Sequence, residues 1–472
     1  MSEPTRESAD PVRNGARAPL LPALSQVLPP DPEDAPGESR RFRLVRLASW
    51  TAIDQVLSAL TNTMLAIVVA NYVDVPAFGT FAVAILVFNV CIGIERALVG
   101  QPMSIRYSSA TGARLDSGRA RAFGTALAVG LIGALGCIAV GLVLGGQLGP
   151  VLVATGVVLP FLLLQDSARL IFFARSQAKL AALNDALWAA IQFPAIVVLA
   201  AITRPAAPAL VLIWGASAAV CVVVALVQLQ VIPDLRGAAS WLREHRDLSG
   251  YLLAEYLLGA GAFQGGILAV GALVGGKEGL TVVGAFKAAQ VVLGPLNMLG
   301  TALQTFALPQ LSKRTGWTSS QRTRVATLTS IAMAAIALIY GVLLMLLPDA
   351  AGRAMFRDNW AEALDVLLPM IVGTIFWGLW QGHTLVIYAM GLARRAFWIM
   401  AIEAPLVFPF MIGGLYLGGA RGAAWGLCLD QVTSLPLWLW TFRQVMRESD
   451  RRDEAVPAEP SGRLTTPSGP GD

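Results

Sequence analysis

Lys287, Gln290, Gly294, Asn297, Thr301 and Gln304 are separated by steps of three and four residues. That spacing puts them on one face of a helix. The run around them, VVGAFKAAQVVLGPLNMLGTALQTFALPQ, is otherwise apolar. Groups that ionise or hydrogen-bond are costly in hydrocarbon, so such a face should turn to a protein interior or a water-filled cavity. Comparable sets recur elsewhere. Asp54, Ser58, Thr61 and Asn62 share a face, as do Asn89, Gly93, Arg96, Gly100 and Ser104. Gln165 and Asp166 each stand within one turn of Arg169, and Trp377, Gln381, Thr384 and Tyr388 form a further stripe. Glu255, Glu403 and Asp430, the last with Ser434 one turn on, are carboxylates within apolar runs. Glu95 and Arg96 are neighbours in sequence and are expected on different faces.

Each group has a plainer alternative. Polar side chains in apolar helices often only join helices by hydrogen bonds. Arg169 and Lys287 have stems long enough to carry the charge to a membrane surface. Asp54, Glu255 and Asp430 either bind a coupling proton or cation, or pair with Arg96 or Lys287 and only neutralise them. His383 reads as a packing residue. Trp377, Trp380 and Trp398 read as packing or interfacial aromatics.

The elements that carry these residues are expected to be transmembrane helices. Of the 472 residues, 56% are hydrophobic and 14% charged, with mean hydropathy +0.63. A soluble domain has about 25% charged residues. Apolar runs long enough to cross a bilayer, roughly 20 residues each, recur along most of the chain. They place about twelve spans near 47–70, 78–103, 122–145, 150–172, 183–203, 208–231, 250–274, 281–307, 325–347, 362–389, 395–418 and 421–442. With the N-terminus inside, the segments expected in the cytoplasm hold 23 Lys and Arg residues, and those expected outside hold 5. The positive-inside rule therefore puts both termini in the cytoplasm of a multi-pass cell-membrane protein. Residues 1–38 and 446–472 read as disordered cytoplasmic tails, because they are rich in Pro and charge and have no sustained apolar run.

The two halves resemble each other. Trp50-x3-Asp54 matches Tyr251-x3-Glu255, and Phe78-Gly79 matches Val283-Gly284. Pro102 and Arg106 match Pro309 and Lys313, Ala174 matches Ala389, and Trp214-Gly215 matches Trp425-Gly426. An even number of spans per half makes both halves start on one face. The expected architecture is all-α: an N-terminal bundle of six spans (39–233), a basic linker (234–249) and a C-terminal bundle of six (250–445). A pseudo-twofold axis along the membrane normal would relate the bundles, with a central cavity between them, as in transporters that rock two bundles about one site.

Several function classes are excluded or disfavoured. The pI near 9.2 does not point to nucleic acid, since the basic residues cluster between apolar runs. Only His245 and His383 are present, and Cys91, Cys137, Cys221 and Cys428 lack metal-ligand spacing, so no metal and no cofactor are expected. No Walker A motif is present. The longest outer loop, PDAAGRAMFRDNWA, is too short for a catalytic domain, so no catalytic residues are assigned.

VANYVDVPAFGTFAVA, with Asp74, Pro76, Phe78 and Gly79, resembles the first-loop signature of the Wzx-like polysaccharide-export flippases. These belong to the superfamily that also holds the multidrug and toxin extruders (MATE-like exporters). The segment with Gly284, Pro295, Pro309 and Lys313 is similar to span 8 of that family, and QDSARLIFFARSQAKLAALNDALWAA, with Arg169, Ala174 and Asp185, to its connection between spans 4 and 5. The resemblance covers about residues 42–445. It implies a MATE-like fold and a polyprenyl-pyrophosphate-linked oligosaccharide as substrate, flipped from the inner to the outer leaflet. It also implies partners among membrane lipids and polysaccharide assembly proteins. Arg96, Lys287 and Arg169 would face the pyrophosphate. Asn62, Asn89, Gln165, Gln290, Asn297, Gln304, Gln381 and Tyr388 would line the rest of the cavity. No extra span pair of the lipid II flippase branch is present. The membrane potential would favour outward movement of negative charge, by about 2.3 kcal/mol per charge per 100 mV. Two other readings compete: an ion-coupled antiporter of small cationic drugs, which would prefer an acidic, aromatic cavity, and a membrane glycosyltransferase or polymerase, which would need an acidic motif or a long outer catalytic loop.

Overall fold

The computed structural model describes residues 40–107, 112–175, 177–312, 314 and 316–455. The expected tail at 1–38, Lys313, and the expected C-terminal tail from 456 onward lie outside the described residues. The described residues from 46 to 455 belong to one compact unit, and of the unit before it only residues 40–45 are described. The described residues are helical, with no strand among them. In order they are α1 (Arg40–Tyr72), α2 (Val75–Glu95), a π-helical turn (Arg96–Gly100), α3 (Gln101–Arg106), α4 (Gly112–Leu144), α5 (Leu148–Ala174), α6 (Ala178–Ile202) and α7 (Ala207–Leu229). There follow α8 (Ala238–Tyr256), a second π-helical turn (Leu257–Gly261), α9 (Ala262–Val274), α10 (Gly276–Val292) and α11 (Gly294–Ser312). The last elements are α12 (Ser319–Met345), α13 (Asp349–Phe356), α14 (Asn359–Ala389), α15 (Ala393–Glu403) and α16 (Val407–Ala455). Residues 446–455, expected in the tail, continue α16.

Among the described residues, 9 helices are long and apolar enough to cross a membrane, or 10 when α10 and α11 count as one broken span. Val56–Tyr72 is a shorter apolar helix. The stretch 393–451 reverses direction inside: Gly418 and Gly419 leave helical geometry, Gly419 at φ 60. Beyond that reversal the two limbs of α16 touch backbone to backbone. A Cβ on Gly414 would lie 2.1 Å from the Gly422 carbonyl oxygen, and one on Gly426 would lie 2.0 Å from that of Phe410. Small residues permit this approach, which gives membrane helices their dispersion contacts. Leu142, Val143, Ile202 and Leu417 are exposed on the outer surface, where hydrocarbon is the solvent.

Packing repeats between the halves. In the first, α5 packs on α4, α7 and α2; in the second, α14 packs on α12, α16 and α10. The halves meet where α2 crosses α10. There a Cβ on Gly79 would lie 2.0 Å from the Leu280 carbonyl oxygen, and one on Gly284 would lie 3.3 Å from Gly79 Cα. Phe78 and Phe286 are fully buried beside this contact. Asp74 opens α2, its Oδ1 accepting from the Ala77 N–H at 2.9 Å. Its role there is that of an N-cap.

Span 8 differs from expectation. The single helix read over 281–307 is two, α10 and α11, bent by 56°. Pro295 has no N–H to donate, so the ladder breaks just before it. The Leu296 N–H, which would bond the Val292 carbonyl in an unbroken helix, turns to the Leu293 carbonyl at 3.1 Å, and the Val292 carbonyl accepts instead from the Tyr340 hydroxyl at 2.8 Å. The polar stripe from Lys287 to Gln304 is therefore bent rather than continuous.

Candidate functional site

In the first half the ionisable residues meet one another. Arg96 lies in the π-helical turn, and its guanidinium grips Asp166 of α5 with two bonds of 2.6 and 2.7 Å. Arg169, one turn further along α5, donates to Asp166 at 3.0 Å and to Ser58 at 2.9 Å. Its Nη1 lies 3.8 Å from Asp54 and 3.6 Å from Asp185. Gln165 donates to Asp185 at 2.7 Å. Glu95 accepts from Ser167. Glu95 and Arg96 thus both reach α5, although neighbours on a helix were expected to diverge. A π-helical turn inserts one extra residue, which changes the phase of the helix at Arg96. Arg169 and Asp166 are almost wholly buried, whereas the Arg96 side chain is 38% exposed. Burial of such charges is tolerable only in a paired, hydrogen-bonded network. Asn62 is exposed on α1, and Asn89 offers its backbone carbonyl to the Tyr256 hydroxyl at 2.5 Å.

The second half holds an open cavity of ≈ 800 Å³. Gln290, Asn297 and Gln304 line it from the two limbs of the broken span. Trp377, Trp380, Gln381 and Tyr388 line it from α14, and Glu255, Tyr256, Glu403, Asp430 and Trp438 complete it. Trp380 and Trp438 stack at 5.3 Å with planes 7° apart, and Trp377 meets Trp380 edge-on. The Tyr388 hydroxyl donates to Glu255 at 2.7 Å, and Trp438 Nε1 to Glu403 at 3.1 Å. Five buried polar atoms on this lining have no hydrogen-bond partner among the described residues: Gln290 Nε2, Trp380 Nε1, Glu403 Oε1, Asp430 Oδ1 and Gln431 Oε1. Buried donors and acceptors left without partners are rare and call for a ligand or water. Among the described residues, no Lys or Arg lines the cavity.

No family model matches the chain, and no curated protein matches it. Solved structures do. An inward-facing multidrug resistance MATE family transporter of the MOP superfamily matches at TM-score 0.61 and 13% identity, over 85% of this chain and 99% of its own. The fold is that of the MATE transporters. The lipid II flippase MurJ, in an inward closed conformation, matches at TM-score 0.63 and 11% identity, over 84% and 87% of the two chains. The MATE multidrug transporter DinF-BH in complex with R6G matches at TM-score 0.53 and 16% identity, over 88% and 98%.

Within this MATE-like fold the sequence-derived candidates divide between two places. Arg96, Arg169, Asp54 and Gln165 belong to the network in the first half. Gln290, Asn297, Gln304, Gln381, Tyr388, Glu255 and Asp430 line the cavity in the second. Lys287 stands one turn from Gln290 on α10 and is half-buried, with no ion-pair partner among the described residues. Tyr256 went unnoticed in the sequence because an aromatic in an apolar run carries no polar period. Its ring covers Gly93, where a Cβ would fall 1.8 Å from it.

Proposed function

We propose that the protein is a membrane transporter that flips a polyprenyl-diphosphate-linked saccharide across the cell membrane, with both chain ends in the cytoplasm. Its two bundles would be residues 39–233 and 250–445, joined by the linker 234–249. The observation that carries this reading is the lining of the second-half cavity. It presents donors and acceptors without partners beside flat aromatic faces. Sugar hydroxyls satisfy the first, and sugar C–H faces pack on the second. The volume suits a ligand of a few rings, since ligand pockets run to roughly 300–1,000 Å³. Lys287, the cation on α10 without an ion-pair partner among the described residues, is the group assigned to the diphosphate. Arg96 and Arg169 are assigned the charge-paired framework of the first half. MurJ, named as a lipid II flippase, and the MATE transporters share the fold.

A second reading is favoured by one observation. Glu255, Glu403 and Asp430 face the cavity, and no cation among the described residues does, which suits an antiporter of organic cations. Thermal-shift measurements on the purified protein separate the two. A polyprenyl-diphosphate oligosaccharide should raise the melting temperature, and the bare polyprenol should not. Stabilisation by an organic dye cation, with none by the saccharide, would transfer the assignment to the antiporter.

A further inference from the structure

A second recess lies away from the cavity, at the arginine-rich end of the second half. It is a groove of ≈ 520 Å³ between α12, α14 and the end of α16. On α16 its wall is a stripe at four-residue spacing: Leu435, Leu439, Arg443 and Arg447. Residues four apart share a helix face, so the wall changes from apolar to cationic along a line. From Leu435 to Arg443 the helix rises about 12 Å. Across the groove, Ile331, Thr327 and Thr323 of α12 repeat the change from apolar to polar at the same spacing. An adjoining recess that shares Thr323 and Thr327 adds Arg324 to the cationic end. At the apolar end, Ser330 and His383 hydrogen-bond to each other at 3.1 Å.

Arg324, Arg443 and Arg447 are exposed and form no ion pair among the described residues. The arginine on the next helix over, Arg395, is by contrast clamped by Glu448 with bonds of 3.1 and 2.5 Å. Asp450 also borders the groove, so the mouth carries three cations and one anion. A cleft whose wall passes from leucine to arginine within two turns has the shape of an amphiphile with an anionic head. Guanidinium groups match phosphate oxygens with paired hydrogen bonds. Basic pockets between membrane helices on the cytoplasmic side hold anionic head groups.

We propose that this groove binds one anionic phospholipid, its phosphodiester on Arg443, Arg447 and Arg324 and its acyl chain along Leu439, Leu435 and Ile331. The site is separate from the saccharide cavity and does not depend on what that cavity carries.

The test is native mass spectrometry of the full-length protein with phosphatidylglycerol and phosphatidylcholine at equal concentration. The wild type should retain phosphatidylglycerol about tenfold over phosphatidylcholine, and R443A/R447A should lose that preference. Leu439→Trp fills the apolar wall and keeps all three arginines. It too should lose the bound lipid while eluting as the same monodisperse species. Arg353→Ala, in α13, should bind as the wild type does. Equal retention of both lipids by the wild type would overturn the proposal. So would undiminished retention by R443A/R447A, or displacement of the lipid by millimolar inorganic phosphate, which would mark an anion site without a lipid chain.

Discussion

Gly79 and Gly284 touch where α2 crosses α10, with a Cβ on Gly284 falling 3.3 Å from Gly79 Cα. The internal repeat pairs these same two positions. Residues related by a twofold axis meet each other only on the axis, so the contact places the axis between α2 and α10. It also ties the halves at one end, and Asn71 of α1 adds a second tie by donating to the Met355 carbonyl of α13 at 2.7 Å.

Gly79→Ala should destabilise the protein more than Gly284→Ala. The added methyl of the first meets the Leu280 carbonyl oxygen at 2.0 Å, which backbone movement alone can relieve. Overpacking of this kind costs about 1–3 kcal/mol. Thermal unfolding in detergent checks the order of the two.

Asp166→Asn should be among the more damaging changes in the first half. It leaves Arg96 without its bidentate partner and Arg169 with only Asp54 and Asp185. Removing one partner of a buried pair costs about 3–5 kcal/mol, and the partial exposure of Arg96 puts the expected loss at the lower end. Arg96→Gln combined with Asp166→Asn should cost less than the sum of the two single changes, which a double-mutant cycle on unfolding free energies measures.

Tyr340→Phe should weaken the break between α10 and α11 without touching the cavity. The Val292 carbonyl would lose the hydroxyl that satisfies it. A buried acceptor left unsatisfied costs about 1–3 kcal/mol. Chemical unfolding reads this loss, while ligand affinity should change little.

Trp380→Ala should cut saccharide binding about tenfold while the protein stays folded. It removes one of the flat faces on which a sugar ring would pack, and leaves Trp438 without its stacked partner; a tenfold loss of affinity is about 1.4 kcal/mol. Trp380→Phe should recover part of the loss. Isothermal titration with the oligosaccharide distinguishes the two variants.

Much of the fold was legible because lipid enforces a simple code. Length and apolarity located the helices, and the break at Gly418 and Gly419 falls at the end of the span expected at 395–418, before the one expected at 421–442. The bend at Leu293 was harder to read. Pro295 signals a break, but the even spacing of the polar stripe argued for a straight helix. Polar periodicity singled out Gln290, Asn297, Gln304, Gln381 and Tyr388, which line one recess, but also Lys287 and Thr301, which do not. The pairing of Arg96 with Asp166 did not follow from it, because a π-helical turn shifts phase and leaves no mark in residue spacing. Periodicity also could not say which polar stripes meet each other and which stay open.

We propose that the protein moves a diphosphate-linked saccharide, with Lys287, one turn along α10 from the cavity-lining Gln290, as the cation assigned to the diphosphate. Liposomes that hold the reconstituted protein and a fluorescent polyprenyl-diphosphate oligosaccharide give the readout. A membrane-impermeant quencher then reports movement between leaflets. The wild type should expose the lipid to the quencher, Lys287→Ala should move it at a small fraction of that rate, and Lys287→Arg should recover part of the movement. Wild-type rates in Lys287→Ala would remove Lys287 from the diphosphate, and no movement by the wild type itself would rule out transport of this lipid.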